Sequence, residues 1–461
     1  MPRKATKTKK SETKGAAPSR TFRRPSSKKK KKVMRHESAK VRELKPEEAV
    51  ESLPNRPKEK KYIDELVRRV VDKCPRRQPT SEDEARALDI FLEEFERTGL
   101  ETSEHSFRFN DSLYKNIVLH AGLGVAGTAV SGAAPLAGLA MHLLAAGSYW
   151  ADSTRKAYIL RRCFPFKPSR NVMGVLPAEG EPALRIVFVG HADAAFTGMT
   201  FWPSLVSLSA KEGPGILKPL RRGVQLMVVT QLMLAGIDAM RVMFGPLTLP
   251  LRPLEYLLTL PSAIALVLNA HVVINDEIVP GANDNLSGSA ALPVLAKRLA
   301  PSKQPDVEYV FCVTGCEEAS LGGADALARE MEGTWDKDRT IFVALDSISL
   351  GDLHFLETEG EVRPRKIPSW LSGIIQEAAA SDSRFAEVKG YEVPVGASDA
   401  AAFQAHGWNA VGLTCLDPDY GPPRHYHLPS DTPDNLDIDK VVFSIDFVET
   451  LAKTLVRRKL G

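Results

Sequence analysis

The chain has 461 residues, with 61 Lys/Arg against 57 Asp/Glu and a formal charge of +4, long and apolar enough for one large domain with additions. Residues 1–32 hold 14 Lys/Arg and a single Glu, so the remainder stands at about −9 and the basic character is confined to a tail. The five cysteines, Cys74, Cys163, Cys312, Cys316 and Cys415, follow no disulfide or metal-finger spacing, which excludes an extracellular disulfide scaffold and fits a reducing compartment.

The tail, residues 1–45, lacks the apolar stretch of a secretory signal and has too little to bury, so it is expected to be disordered. It is either a solvated charge run or an electrostatic contact for anionic lipid or nucleic acid, with nucleic acid the less favoured partner. Residues 46–116 begin the folded part. "KKYIDELVRRVVDKC" and "SEDEARALDIFLEEFERTG" place apolar residues three and four apart, predicting two amphipathic helices, and "SEHSFRF" predicts a strand. Ile117–Trp150 then runs 34 residues without a charge, broken by Gly-Ala-Ala-Pro near its middle. It predicts an apolar helical hairpin over 117–150.

From 151 the pattern becomes short apolar strands, "RNVMGVL", "LRIVFVG", "VEYVFCV", "TIFVALD" and "NAVGLTC", alternating with helical stretches such as "GSAALPVLAKRLA" and "PSWLSGIIQEAAA". β-branched runs bounded by turns are what strands buried on both faces look like, so residues 151–200 and 279–461 predict an α/β domain with a mixed, mostly parallel sheet flanked by helices. Residues 201–278 interrupt it with "GVQLMVVTQLMLAGI" and the uncharged run Tyr256–Asn275, predicting a second apolar hairpin. Asp238 and Arg241 break its first half.

Three strand ends carry metal-capable groups: His191 and Asp193 after "IVFVG", Glu317 and Glu318 after "VEYVFCVTGC", and Asp346 after "TIFVAL". Open α/β sheets place their sites at such ends. Asp284 in "GANDNLSG" and His425 and His427 in "HYHLPSD" lie in loops. Singly, each has a bland explanation, Asp284 or Ser287 as a helix cap and Cys316 as a small apolar filler. As a set they offer two imidazoles and several carboxylates, a donor mix suited to zinc, with cobalt or manganese as substitutes. Cations would also explain two adjacent glutamates at the end of a buried strand, where each otherwise raises the other's cost of ionisation.

The ordered set His-x-Asp, Gly-Ala-Asn-Asp-Asn-x-Ser-Gly, Glu-Glu, Asp and a late His resembles the zinc-dependent exopeptidases typified by the bacterial leucyl aminopeptidases, over about Asn171–Ile445. The resemblance implies that fold, and two zinc ions per chain. His191, Asp284 and Asp346 would hold one ion and Asp284, Glu318 and His427 the other, with Asp284 shared. Glu317 would be the general base, Asp193 would orient His191, and a cis peptide would join Asp284 to Asn285. His427 is preferred to His425 because Asp431–Thr432 follow it as in the family. "GASDAAAF", with Ser398 and Asp399, resembles a segment near the family's substrate cleft; a turn and helix cap explain it equally.

The expected activity is hydrolysis of peptide or small amide substrates, most simply as an aminopeptidase. Alternatives are a single-zinc glutaminyl-cyclase-like acyltransferase and a catalytically silent membrane scaffold. The hairpins and tail predict association with membrane lipid, the catalytic domain lying in the cytoplasm, on the side marked by Lys115, Arg155, Lys156, Arg161, Arg162, Lys218, Arg221 and Arg222; a soluble cytoplasmic protein with a helical cap is the alternative. Each half of 117–150 is short against the roughly twenty residues of a perpendicular span. Oligomeric state is left open.

Overall fold

The computed structural model describes residues 56–210, 223–245, 251–394, 396–419 and 421–461. The basic tail and Lys218, Arg221 and Arg222 lie outside the described residues. In chain order, helices α1 (Arg56–Lys73) and α2 (Glu82–Arg97) precede strand β1 (Glu101–Phe109), and α3 (Leu113–Ser131) and α4 (Pro135–Ser153) form the first apolar hairpin. Strands β2 (Lys167–Leu176) and β3 (Leu184–His191) lead to the short α5 (Pro203–Ala210) and the second apolar pair, α6 (Gly223–Phe244) and α7 (Arg252–Asn275). The chain returns through α8 (Gly288–Leu299), β4 (Val307–Thr314), α9 (Gly322–Glu330), β5 (Thr340–Leu345), β6 (Asp352–Glu359), β7 (Arg365–Lys366) and α10 (Ser369–Ala380). It ends with β8 (Lys389–Glu392), α11 (Asp399–Ala405), β9 (Asn409–Leu416) and α12 (Ile438–Leu460).

The sheet order is β1-β2-β4-β3-β5-β9-β6-β7, with β8 paired to β6. Its centre, β4-β3-β5-β9, is parallel; β1, β2 and β6 add antiparallel pairs. The mixed, helix-flanked sheet expected from the apolar runs is therefore present, with four of the eight strand pairings among the described residues parallel. Alternation along each central strand feeds two cores: Ile186, Phe188, Phe311 and Val343 face one layer and Val187, Val189, Val310 and Phe342 the other. Helices α1, α8, α10 and α12 cover the first core and α9 and α11 the second.

The two apolar pairs join into one four-helix bundle, α3 packing on α4 and α7 and α6 on α4 and α7. Its helices α3 and α4 have 19 residues each, longer than the uncharged run suggested, because both continue into polar turns that dock on the catalytic domain. Close approach explains the small residues: a Cβ at Gly127 would stand 2.9 Å from His142 Nε2, and one at Gly138 2.6 Å from Asp238 Oδ2.

The bundle interior mixes apolar clusters, such as Ile117 with Met227 and Leu234 with Leu258, with buried polar pairs, and much of its outer surface is apolar. Asp238 accepts from Ser131 Oγ and lies 3.0 Å from His142 Nδ1; Arg241 pairs with Glu255; and Thr128 Oγ1 lies 2.8 Å from Thr259 Oγ1. Asp238 and Arg241 thus turn inward and pair, instead of breaking the apolar surface as their sequence positions suggested. Outward stand Phe244, Tyr256, Leu257, Ile264, Val267 and Ile274, the last 83% exposed. Arg155 and Arg161, expected as basic flanks, are buried: Arg155 donates to Ser320 O, and Arg161 grips Asp152 with two bonds of 2.7 and 2.8 Å. Lys156 and Arg162 remain exposed.

Candidate metal centre

Strand register assembles the site. His191 ends β3 opposite Thr314 of β4, so the chain leaving β4 turns beside it, and Asp346 follows β5 two residues beyond the pairing of Val189 with Ala344. The turn after β4 passes through Cys316 at φ 59°. Glu84 of α2 fixes this turn: Oε1 accepts from Cys316 N at 2.7 Å and Oε2 from Ser169 Oγ at 2.8 Å. Cys316 is a buried free thiol, as expected of a small filler.

Asp193 ties the two strand ends together. Its carboxylate accepts from the backbone of Glu317 at 3.0 Å and Glu318 at 2.8 Å. His191 Nδ1 lies 3.1 Å from the Asp193 carbonyl and 3.6 Å from its carboxylate. Asp193 therefore meets His191 more closely through its backbone than through its side chain, and its carboxylate holds the backbone of the two glutamates.

The motif around Asp284 is stapled residue by residue. Asn285 Nδ2 donates to Leu345 O at 2.7 Å while its Oδ1 accepts from Gly288 N and Ser347 N. Ser287 Oγ donates to Asn283 O and accepts from Ile348 N, and Asn283 Oδ1 accepts from Ser349 N. Alternate side chains thus lash the loop to the strand end that carries Asp346. Ser287 serves this loop and does not cap α8 through its side chain. Gly281 adopts φ 59°, and a Cβ there would stand 2.6 Å from Asp284 O, so a side chain is excluded. The peptide between Asp284 and Asn285 is cis.

These loops bring the sequence-selected groups into one place. His191 Nε2 lies 3.3 Å from Asp284 Oδ1, and His427 Nε2 lies 3.2 Å from Asp284 Oδ2 and 3.5 Å from Glu318 Oε1. The two oxygens of Asp284 face different imidazoles. Glu317 Oε2 is 3.8 Å from His191 Nε2; His191, Glu317 and Asp346 form one group with ligand atoms within 4.8 Å, and His191, Asp284 and Glu318 another. His425 stands apart, its Nδ1 2.8 Å from Ser430 Oγ. Ser398 caps α11, and Asp399, which accepts from Thr314 Oγ1 at 2.6 Å, lies close enough to the centre to act on Glu317.

The electrostatics ask for cations. Burial pushes Glu317 and Glu318 well above the usual carboxylate range, Glu318 and Asp399 adding to it at Glu317 and Asp284 adding at Glu318. Asp346 is pushed up to about 7, by burial and then Asp284, and Asp399 to about 6, chiefly by burial. Burial opposes a charged His191, yet Glu317, Asp193 and Asp284 outweigh it and raise its pKa. Asp284 is lowered despite burial by the imidazoles of His191 and His427 that face its two oxygens. Buried like charges of this kind are stable together only with compensation. His191 Nε2 and Glu318 Oε1 are also buried without hydrogen-bond partners. Lone-pair donors aimed at a shared space, with excess negative charge, fit divalent zinc.

Two groups support this centre, Arg77, which sequence reasoning missed, and Asp431, which it used only as a marker for His427. Arg77, fully buried, donates from Nε to Ala192 O at 2.9 Å and from Nη2 to Pro280 O at 2.7 Å, bridging the loops of His191 and Asp284; burial lowers its pKa to about 10. Asp431 accepts from Asn283 N and Asp284 N at 2.7 and 3.0 Å. The second Arg of "CPRRQP" carries no spacing signal. Arg77→Met is expected to cost about 3 kcal/mol or more, since each buried carbonyl left unpaired costs about 1–3 kcal/mol. Thermal melting and zinc retention after dialysis should both fall.

Comparison with known proteins agrees with this geometry. Residues 259–449 match the family model of Peptidase family M28, the family of the resemblance above. That segment carries Asp284, Glu317, Glu318, Asp346 and His427, while His191 and Asp193 lie before it, across the apolar insertion. No protein among the curated sequences matches significantly. Among solved structures, the chain is similar to a zinc aminopeptidase from Bacillus subtilis, with TM-score 0.52, 13% identity and coverage of 86% of this chain and 94% of that one. It is also similar to a glutaminyl cyclase from an Acidobacteriales bacterium, with TM-score 0.50, 14% identity and coverage of 87% and 95%. The family signal is thus carried by residues 259–449, and the likeness to these solved structures is one of fold.

Proposed function

Proceeding from a Peptidase family M28 segment on this fold, we propose that the protein is a two-zinc aminopeptidase held at the cytoplasmic face of a membrane. The observation that carries the catalytic half is Asp284, whose two oxygens address His191 and His427 separately. His191 and Asp346 would complete one ion's donors, and Glu318 and His427 the other's. Zinc in these positions supplies Lewis acidity toward a carbonyl and a nucleophile at neutral pH; cobalt or manganese suits the same donors. Glu317 accepts a proton at its carboxylate and returns it to the leaving amine, a role worth about 10²–10⁴-fold. Asp193 keeps the backbone of both glutamates fixed during that exchange.

Membrane association rests on the outer surface of the bundle. Large apolar side chains stand outside, while its charged and hydroxylic groups are paired within beside apolar clusters, as suits a lipid environment. Helices of 22 and 24 residues extend about 33 and 36 Å at 1.5 Å per residue, sufficient for a hydrocarbon core of about 30 Å. The tail's charge and exposed Lys156 and Arg162 favour the cytoplasmic side for the catalytic domain.

Single-zinc glutaminyl cyclisation is the second reading, favoured by the fold likeness to a glutaminyl cyclase. A complete second donor pair counts against it. Detergent-extracted protein should hydrolyse free-amine aminoacyl arylamides and spare blocked ones; cyclisation of N-terminal glutamine without amide hydrolysis would decide for the cyclase. Floating the protein with anionic vesicles tests attachment, which the triple change Leu257→Glu, Ile264→Glu, Val267→Glu should abolish. Wild-type protein staying monodisperse in the absence of detergent and vesicles would contradict it.

A further inference from the structure

The apolar bundle reaches the metal centre through one side chain. Tyr114, in the first turn of α3, is buried, and its hydroxyl lies 3.3 Å from His427 Nδ1, on the far side of the ring from Asp284. We propose that Tyr114 is a positioning residue for His427, fixing which ring nitrogen is presented toward Asp284 and Glu318. The inference rests on the reading of His427 as a metal ligand.

The His427 ring packs against Phe201 and Tyr426, tilted to them by 49° and 34°, with centroids 4.3 and 3.9 Å away. Such contacts confine an imidazole but are nearly blind to a half-turn about its Cβ–Cγ bond, which exchanges nitrogen and carbon positions. A hydrogen bond at Nδ1 distinguishes the two orientations. With Nδ1–H donating to the Tyr114 hydroxyl oxygen, the proton is kept off Nε2, whose lone pair faces the Asp284 and Glu318 carboxylates. His191 is treated the same way, its Nδ1 facing the Asp193 carbonyl.

Tyr114 is itself held by edge-on contacts from Phe196 and Phe201, both at 6.0 Å between centroids. Ser112 caps α3, accepting from Lys115 N at 3.4 Å. One imidazole of the centre is thus oriented by the catalytic sheet and the other by the bundle.

The test is a titration of metal-stripped full-length protein with cobalt(II), followed by visible absorption. Wild type should take up two equivalents. Tyr114→Phe keeps the ring and its packing and should weaken one equivalent by about 10–100-fold, the usual effect of losing a ligand's hydrogen-bond partner, while the other stays unchanged. Phe196→Leu removes a packing neighbour of Tyr114 without touching the hydroxyl, and should keep both affinities within about twofold, well short of the loss expected of the hydroxyl. Unchanged binding in Tyr114→Phe, or equal weakening in both variants, would overturn the positioning role. His427→Ala serves as reference: if it binds cobalt like wild type, the ligand reading of His427 fails instead.

Discussion

Glu317→Gln is expected to lower kcat on aminoacyl amides by about 10²–10⁴-fold with zinc content and KM nearly unchanged. The amide has the carboxylate's shape, so it leaves no cavity, and the backbone N–H of residue 317 that donates to Asp193 is untouched. What disappears is the ability to take and return a proton. The geometry also offers a specific way to be wrong. Glu317 shares a tight group with His191 and Asp346, so a zinc loss parallel to the activity loss would make it a ligand instead of the base.

Asp284→Ala is expected to remove both ions together. Partners of ligands typically contribute about 10–100-fold in metal affinity, and a donor shared by two sites should contribute no less at each. Activity should fall to background. The variant's melting temperature should no longer respond to chelator, whereas wild type should lose the stabilisation that bound metal confers, about 2.7 kcal/mol for a ligand at a hundred times its Kd. A variant that retains one zinc and a chelator-sensitive melt would mean that Asp284 serves one ion only.

Much of the site was legible because its residues sit where strand periodicity ends. The apolar runs locate β3, β4 and β5, and the first polar residues after them are His191, Glu317, Glu318 and Asp346; the register of those strands then makes the ends neighbours. Asp284 and His427 needed the ordered motif, since a loop residue carries no period. What stayed hidden acts across long sequence distances through the backbone: Arg77 gripping carbonyls at 192 and 280, Glu84 holding the turn at Cys316, Tyr114 meeting His427. A hydrogen bond to a distant carbonyl leaves no trace in local composition. Strands β7 and β8 were equally obscure, being edge elements of two and four residues, and β6 mixes polar and apolar positions along its length. In the bundle, sequence hydropathy found the helices but misjudged their polar residues. Asp238 and Arg241 looked like interruptions because only the fold shows that their partners face them inside.

The central claim, two ions sharing Asp284, is tested most directly by counting zinc per chain in detergent-extracted wild-type protein by atomic emission. Near two zincs, falling below one in Asp284→Ala, is the predicted result. A single zinc in wild type, retained when Asp346 is replaced by Ala, would contradict the shared-carboxylate site and leave a one-ion centre.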